Sequence, residues 1–146
     1  MTKVPVILSI EKFIEREVSI FSMKFHKSTD VDGQVAERPR GGQITMRLKA
    51  LNSGDYSFAS WLIQPFEKPV EKHNGIIKFY NTTNGNLLKT ITFVDAYCVD
   101  YQEYWKDSVK DDELSHWEDV TISCRQITGS GSTQFEFNNQ WQLEDE

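Results

Sequence analysis

The sequence predicts a mainly β protein, an antiparallel β-barrel or sandwich with one short α-helix at about residues 55–63 and a long extended loop at residues 28–42. Three observations point there. Side chains alternate on both sides of the loop: Phe21, Met23 and Phe25 oppose Ser22, Lys24 and His26, then Ile44, Met46, Leu48 and Ala50 oppose Gln43, Thr45, Arg47 and Lys49. A period of two marks a half-buried strand. An Asn-Gly pair inside residues 81–86 supplies a hairpin turn. Apolar residues at helical spacing, Phe58, Trp61 and Leu62, follow Asn52-Ser53-Gly54-Asp55, whose side chains suit a helix start.

Taken in order, residues 4–10 read as a strand whose Pro5 keeps its beginning at an edge. Residues 17–27 form the next strand. The loop at 28–42 is too long for a tight turn and ends in Arg38-Pro39-Arg40-Gly41-Gly42, where proline fixes one angle and glycine permits unusual ones. Long structureless connections are functional or disordered more often than incidental. Residues 42–51 return as a strand, and the helix then ends at Pro65. So short a helix draws its stability from packing on a sheet.

Residues 75–80 read as a strand and 81–86 as the turn. Residues 87–105 form one long bent strand, or two joined by a kink near Asp95-Ala96. In either case Ile91, Phe93, Tyr97, Val99 and Tyr101 keep to odd positions, so no register slip is needed. Residues 106–119 read as charged and irregular, 120–127 as a strand, 128–132 as a turn and 133–141 as a final strand, with a frayed tail.

A chain of 146 residues has room for one domain, residues 1–146, with a real core. No stretch approaches the roughly 20 apolar residues of a membrane span. The start lacks the apolar run and small-residue cleavage site of a signal peptide, which predicts folding in the cytoplasm. Cys98 and Cys124 sit inside strand patterns and read as reduced, buried thiols. Net charge is −6, with 12 basic and 9 acidic side chains through Tyr80 and 4 and 13 beyond. This balance opposes nucleic-acid binding, which needs clustered Lys and Arg.

No catalytic or cofactor signature is present: no nucleophile elbow, P-loop or dinucleotide fingerprint. His26, His73 and His116 have no ligand spacing to Cys or to one another. The acidic run containing Asp107, Asp111, Asp112, Glu113, Glu118 and Asp119 lacks the spacing and glycine of an EF-hand and reads as a solvated loop. Asp30-Val31-Asp32-Gly33 reads as a turn. Asn81-Thr82-Thr83 matches a glycosylation sequon but lies in a hairpin of a chain without a secretory signal. The sequence thus predicts no catalytic residues, metal or cofactor. Aromatic side chains at Tyr97, Tyr101, Tyr104 and Trp105 occupy both parities of one strand, so its outer face meets either a partner subunit or the domain's own helix.

Several stretches in succession carry a family resemblance: Arg40-Gly41-Gly42-Gln43-Ile44-Thr45, Trp61-Leu62-Ile63-Gln64-Pro65-Phe66, Ile76-Ile77-Lys78-Phe79-Tyr80 and Phe93-Val94-Asp95-Ala96-Tyr97-Cys98-Val99. Val120-Thr121-Ile122-Ser123-Cys124 and Phe135-Glu136-Phe137-Asn138-Asn139-Gln140-Trp141 complete them. Together they resemble the tube protein of type VI secretion systems, the haemolysin-coregulated protein (Hcp, TssD) family, in its Bacteroidetes branch. The resemblance implies a β-barrel assembled into a homohexameric ring, with rings stacked into a tube. It further implies propulsion by a contractile sheath behind a spike protein, delivery of secreted effectors, and export without a cleavable signal peptide after assembly in the cytoplasm. With no extra domain after Trp141, a plain structural subunit is expected.

By position, residues 28–42 correspond to the loop that reaches a neighbouring ring. That loop carries Asp30, Asp32, Glu37, Arg38, Arg40, Gly41 and Gly42. The complementary surface expected is Asp107, Asp111, Asp112 and Glu113, with Arg38 and Arg40 meeting acids of the next ring. A small-ligand or carbohydrate-binding barrel with Tyr97 to Trp105 lining a pocket is the competing reading, and a metal-dependent hydrolase a third.

Overall fold

The computed structural model describes residues 6–51, 53–65, 71–107, 115–139 and 141. Strands β1 (Val6–Ile10), β2 (Arg16–Met23), β3 (Gln43–Lys49), β4 (His73–Tyr80), β5 (Leu87–Trp105), β6 (His116–Ser130) and β7 (Gln134–Asn138) surround helix α1 (Ser57–Ile63). All pairings are antiparallel, in the order β3-β2-β1-β4-β5-β6, and β6 closes on β3 to make a six-stranded barrel. β7 adds to β6 beyond the stretch that β3 occupies. Closure removes most of the sheet edges that a flat β-sheet would leave open.

The alternation in β3 is as the sequence predicts, with Ile44, Met46 and Leu48 fully buried; Ala50 lies past the strand and is only partly covered. β2 differs. It spans Arg16–Met23 rather than 17–27, and a bulge between Val18 and Ile20 shifts its phase. Arg16 and Val18 therefore point inward, Phe21 and Met23 take over past the bulge, and Ile20 is left exposed.

β5 is one strand across all of 87–105, but the expectation that odd positions stay inward fails. Ile91 and Phe93 are buried, then Ala96 and Cys98, then Tyr101 is half-buried. The first reversal falls at Asp95, whose φ is 54°; the second is a bulge between Cys98 and Asp100. β6 also starts earlier than predicted: His116 to Asp119 belongs to the strand, pairing Lys49 with Trp117 and Leu48 with Glu118. It runs on to Ser130, past the expected turn start, and β7 stops at Asn138, short of Trp141. β4 begins at His73, and β1 is described from Val6, so the expectation for residues 4 and 5 lies outside the described residues.

The helix begins two residues later than expected. Asp55 Oδ1 accepts from the Ser57 hydroxyl at 2.7 Å, and Gln64 turns to an extended ψ of 143° before Pro65. Its buried face is Phe58 and Trp61, which meet Phe13 edge-on at 5.2 and 5.6 Å. Trp61 Nε1 donates to the Glu71 carbonyl at 3.1 Å, and its ring meets His73 at 4.8 Å. Burying two large aromatics, roughly 1.5–3 kcal/mol for a Phe-sized side chain, stabilises a helix too short to persist alone.

A charged group is buried at the same end of the barrel. Arg16 and Glu118, both about 2% exposed, form an ion pair; Arg16 also donates to the Lys49 carbonyl at 2.7 Å, and Tyr101 donates to Glu118. Cys98 and Cys124 are free, buried thiols.

Candidate functional site

The predicted loop at 28–42 is an organised arm. Its tip is a turn over Asp30-Val31-Asp32-Gly33: Asp30 Oδ1 accepts from the backbone N–H groups of Asp32 at 2.9 Å and Gln34 at 3.0 Å. Gly33 closes the turn with φ 84°. Thr29 and Val35 bridge below the tip, and Ala36 N donates to the Ser28 carbonyl at 2.9 Å. Val31 and Val35 remain exposed on this ribbon.

Lower down, Glu37 accepts from the Ser28 hydroxyl and from Arg40 Nε at 2.9 Å. The Ser28 hydrogen bond, supported by Arg40, holds the Glu37 carboxyl below its ordinary range. His26 and Arg40 exchange backbone hydrogen bonds of 2.9 and 2.7 Å at the root. Gly41 and Gly42 then carry the chain into β3 with φ of 150° and 93°. A Cβ on Gly42 would stand 2.3 Å from Asn139 Nδ2 and 3.0 Å from the Cys124 carbonyl. Asn139 binds that carbonyl at 2.7 Å, and Cys124 N donates to the Gly42 carbonyl at 2.7 Å, so the root is pinned to β6.

The predicted site residues separate into distinct groups. Glu37 and Arg40 form an ion pair within the arm, 2.9 Å apart. Asp30 is committed to its own turn. Asp32 and Arg38 are exposed, and neither side chain makes a hydrogen bond or ion pair among the described residues. Asp107 is exposed just beyond β5, while Asp111, Asp112 and Glu113 lie outside the described residues.

The arm and Asp107 stand at opposite ends of one ladder. Gln43 pairs with Ser123 beside the arm, and Lys49 pairs with Trp117 near the segment where Lys106 N donates to the Ser115 carbonyl. Six strand steps separate them, about 20 Å. The chain therefore does not bring Asp107 to its own arm.

Some groove residues beside the arm were not singled out from sequence. Trp141 folds back against Tyr97, ring centres 5.5 Å apart, and joins Asn139, Lys24 and His26 around the root. Nothing local to residues 139–141 signals that return.

Among the described residues, other side chains of the chain stack on the aromatics of this stretch. Tyr104 stacks on Trp117 at 5.1 Å, with Arg47 4.8 Å over Trp117 and paired to Asp119 at 2.8 Å. Trp105, though exposed, stacks on His116, which meets Glu103 at 2.9 Å. The barrel interior is filled by side chains, Ile44, Met46, Ile77, Phe93 and Ile122 among them, and the grooves at its two ends are open. Within the Tyr97 to Trp105 stretch, Glu103 and Trp105 line the groove at one of these ends. Among the described residues no group of three or more His, Cys, Asp or Glu is placed to hold a metal.

A family model described as Hemolysin coregulated protein Hcp (TssD) matches residues 3–142. The chain superposes on Hcp1 from Flavobacterium johnsoniae with a TM-score of 0.76 and 26% identity, over 92% of this chain and 99% of that one. Two further structures share the fold at lower identity. One is Hcp1 from Salmonella typhimurium (TM-score 0.69, 13% identity, 90% of this chain and 91% of that one). The other is a type VI secretion system effector from Yersinia pestis (0.65, 10%, 92% and 99%). No curated protein matches.

Proposed function

The chain belongs to the Hcp (TssD) family and is a subunit of the type VI secretion tube, and from that premise we propose that it assembles as homohexameric rings stacked through the arm. The observation that carries the ring is a pair of free strand edges. β2, β3, β6 and β5 form a four-stranded face, and among the described residues nothing pairs with β2 beyond Val18 on its outer side or with β5 beyond Tyr97. Ile20 and Val99 are exposed on these edge strands. The two edges run antiparallel, so one copy's β2 suits the next copy's β5 and the sheet continues around a channel. A repeated rotation of this kind closes into a ring.

In the stack, the arm with Asp30, Asp32, Glu37, Arg38, Arg40, Gly41 and Gly42 reaches the neighbouring ring, whose facing surface includes Asp107, Asp111, Asp112 and Glu113. Gly41 and Gly42 set the direction in which the arm leaves the barrel, and Arg38 supplies its free charge. The protein acts as one structural domain without catalysis. Sheath and spike proteins are its partners, effectors its cargo, and it leaves the cytoplasm through the type VI machine.

Native mass spectrometry and negative-stain imaging of the purified chain test the ring directly. Six-fold rings support it, and Ile20→Asp should return a folded monomer. A monomer for the unmodified chain at every concentration would overturn the reading.

A further inference from the structure

We propose that the root of the arm is a cationic groove that receives carboxylates from the opposite end of a second copy of this chain; the inference rests on the stacked-ring reading. Two adjoining grooves share Gly41, Asn139 and Trp141. Arg38 walls one of them, and Lys24 and His26 wall the other. The carboxylate present there, Glu37, is already neutralised by Arg40 at 2.9 Å and hydrogen-bonded by Ser28. Arg38 and Lys24 have no side-chain partner among the described residues, so the groove keeps uncompensated positive charge beside an aromatic wall. A guanidinium and an ammonium placed this way are donors in need of acidic acceptors.

The acceptors lie at the other end of the barrel. Asp107 is exposed and unpaired among the described residues, and Glu15 is exposed with only the Ser9 hydroxyl, at 3.1 Å, for company. Both sit at the end where β2 begins and β3 finishes, whereas Lys24 follows the end of β2. A single chain cannot join these groups across the length of its own strands. A second copy translated head to tail along the strands presents Asp107 and Glu15 to the groove. One exposed ion pair contributes little, but a ring presents every copy of the pair at once, so weak contacts act together.

Purified full-length chain examined by sedimentation and negative-stain imaging at low and high salt decides the matter. Unmodified rings should stack at low salt, and the stacked fraction should fall by about tenfold or more as salt shortens the screening length from ~30 Å to ~3 Å. Lys24→Glu with Arg38→Glu should leave rings intact and unstacked, as should Asp107→Lys with Glu15→Lys. All four substitutions together should restore stacking. Variants that stack like the unmodified chain, or unmodified rings that stay single at low salt, would overturn the groove while leaving the ring standing. Absence of rings altogether would instead remove the tube reading beneath it.

Discussion

Arg125 Nε donates to Asp95 Oδ2 at 2.8 Å, at the level where β5 and β6 both exchange the side they turn toward the core. Below it Ile91, Phe93 and Ile127 are buried; above it Ala96, Cys98, Ile122 and Cys124 are. Val94 pairs with Gln126 and Ala96 with Cys124, so the ladder passes through unbroken because the two strands reverse together. Asp95 takes the positive φ that makes this possible, its N–H held by Asn74 Oδ1 at 2.9 Å.

At Asp95 the backbone, more than the ion pair, sets the cost of substitution. Asp95→Gly loses the pair but suits the angle, whereas Asp95→Val loses the pair and is strained by its branched Cβ. The Val variant should be less stable than the Gly variant by about 1–3 kcal/mol in urea denaturation. Equal midpoints would show that the positive φ is not needed.

The glycine pair at the arm's root should be far less tolerant than the one at its tip. Gly42→Ala puts a methyl group 2.3 Å from Asn139 and should cost about 3 kcal/mol from strain and overpacking together. Gly33 has a similar sign of φ but open space around it, so Gly33→Ala should cost about 1 kcal/mol. Thermal unfolding of the two variants makes the comparison.

Arg16 and Glu118 should behave as a unit. Either Arg16→Met or Glu118→Leu alone strands a buried charge and should cost about 3–5 kcal/mol; the double variant should recover most of that loss. A double-mutant cycle with additive losses would contradict the pairing.

Burial pushes the thiols of Cys98 and Cys124 up to about 12 from their ordinary 9. At pH 8 both are protonated and covered, so an aromatic disulfide reagent should label them only at the rate of unfolding. Above pH 9 the unfolded chain binds fewer protons than the folded one at these sites, so stability should fall as pH rises from 9 toward 12. Replacing both by Ala should flatten that part of the pH profile. Rapid labelling of the folded protein would show that the thiols are open to solvent.

Period-two reasoning found β3 and most of β2 because a simple alternation there meets a simple barrel wall. It failed on part of β2, where the Val18/Ile20 bulge resets the phase, and on β5 and β6, where the Cys98/Asp100 bulge and the Asp95 bend do. His116 to Asp119 looked like loop because it is rich in charge. Glu118 is nevertheless buried, and the partner that permits this, Arg16, lies 102 residues away. In the arm, length and the Pro-Arg-Gly-Gly ending were legible. Which arginine stays free was not, since that depends on how the ribbon brings Glu37 back to Arg40 and Ser28.

The shared run of β5 and β6, paired from Thr90 with Ser130 to Trp105 with His116, also decides how the molecule bears load. A push or pull between the arm and the far end of the barrel acts along these strands. It strains their hydrogen bonds in shear, many at once, rather than peeling them apart one by one. The subunit should therefore be stiff and slow to rupture along this direction and much weaker across it.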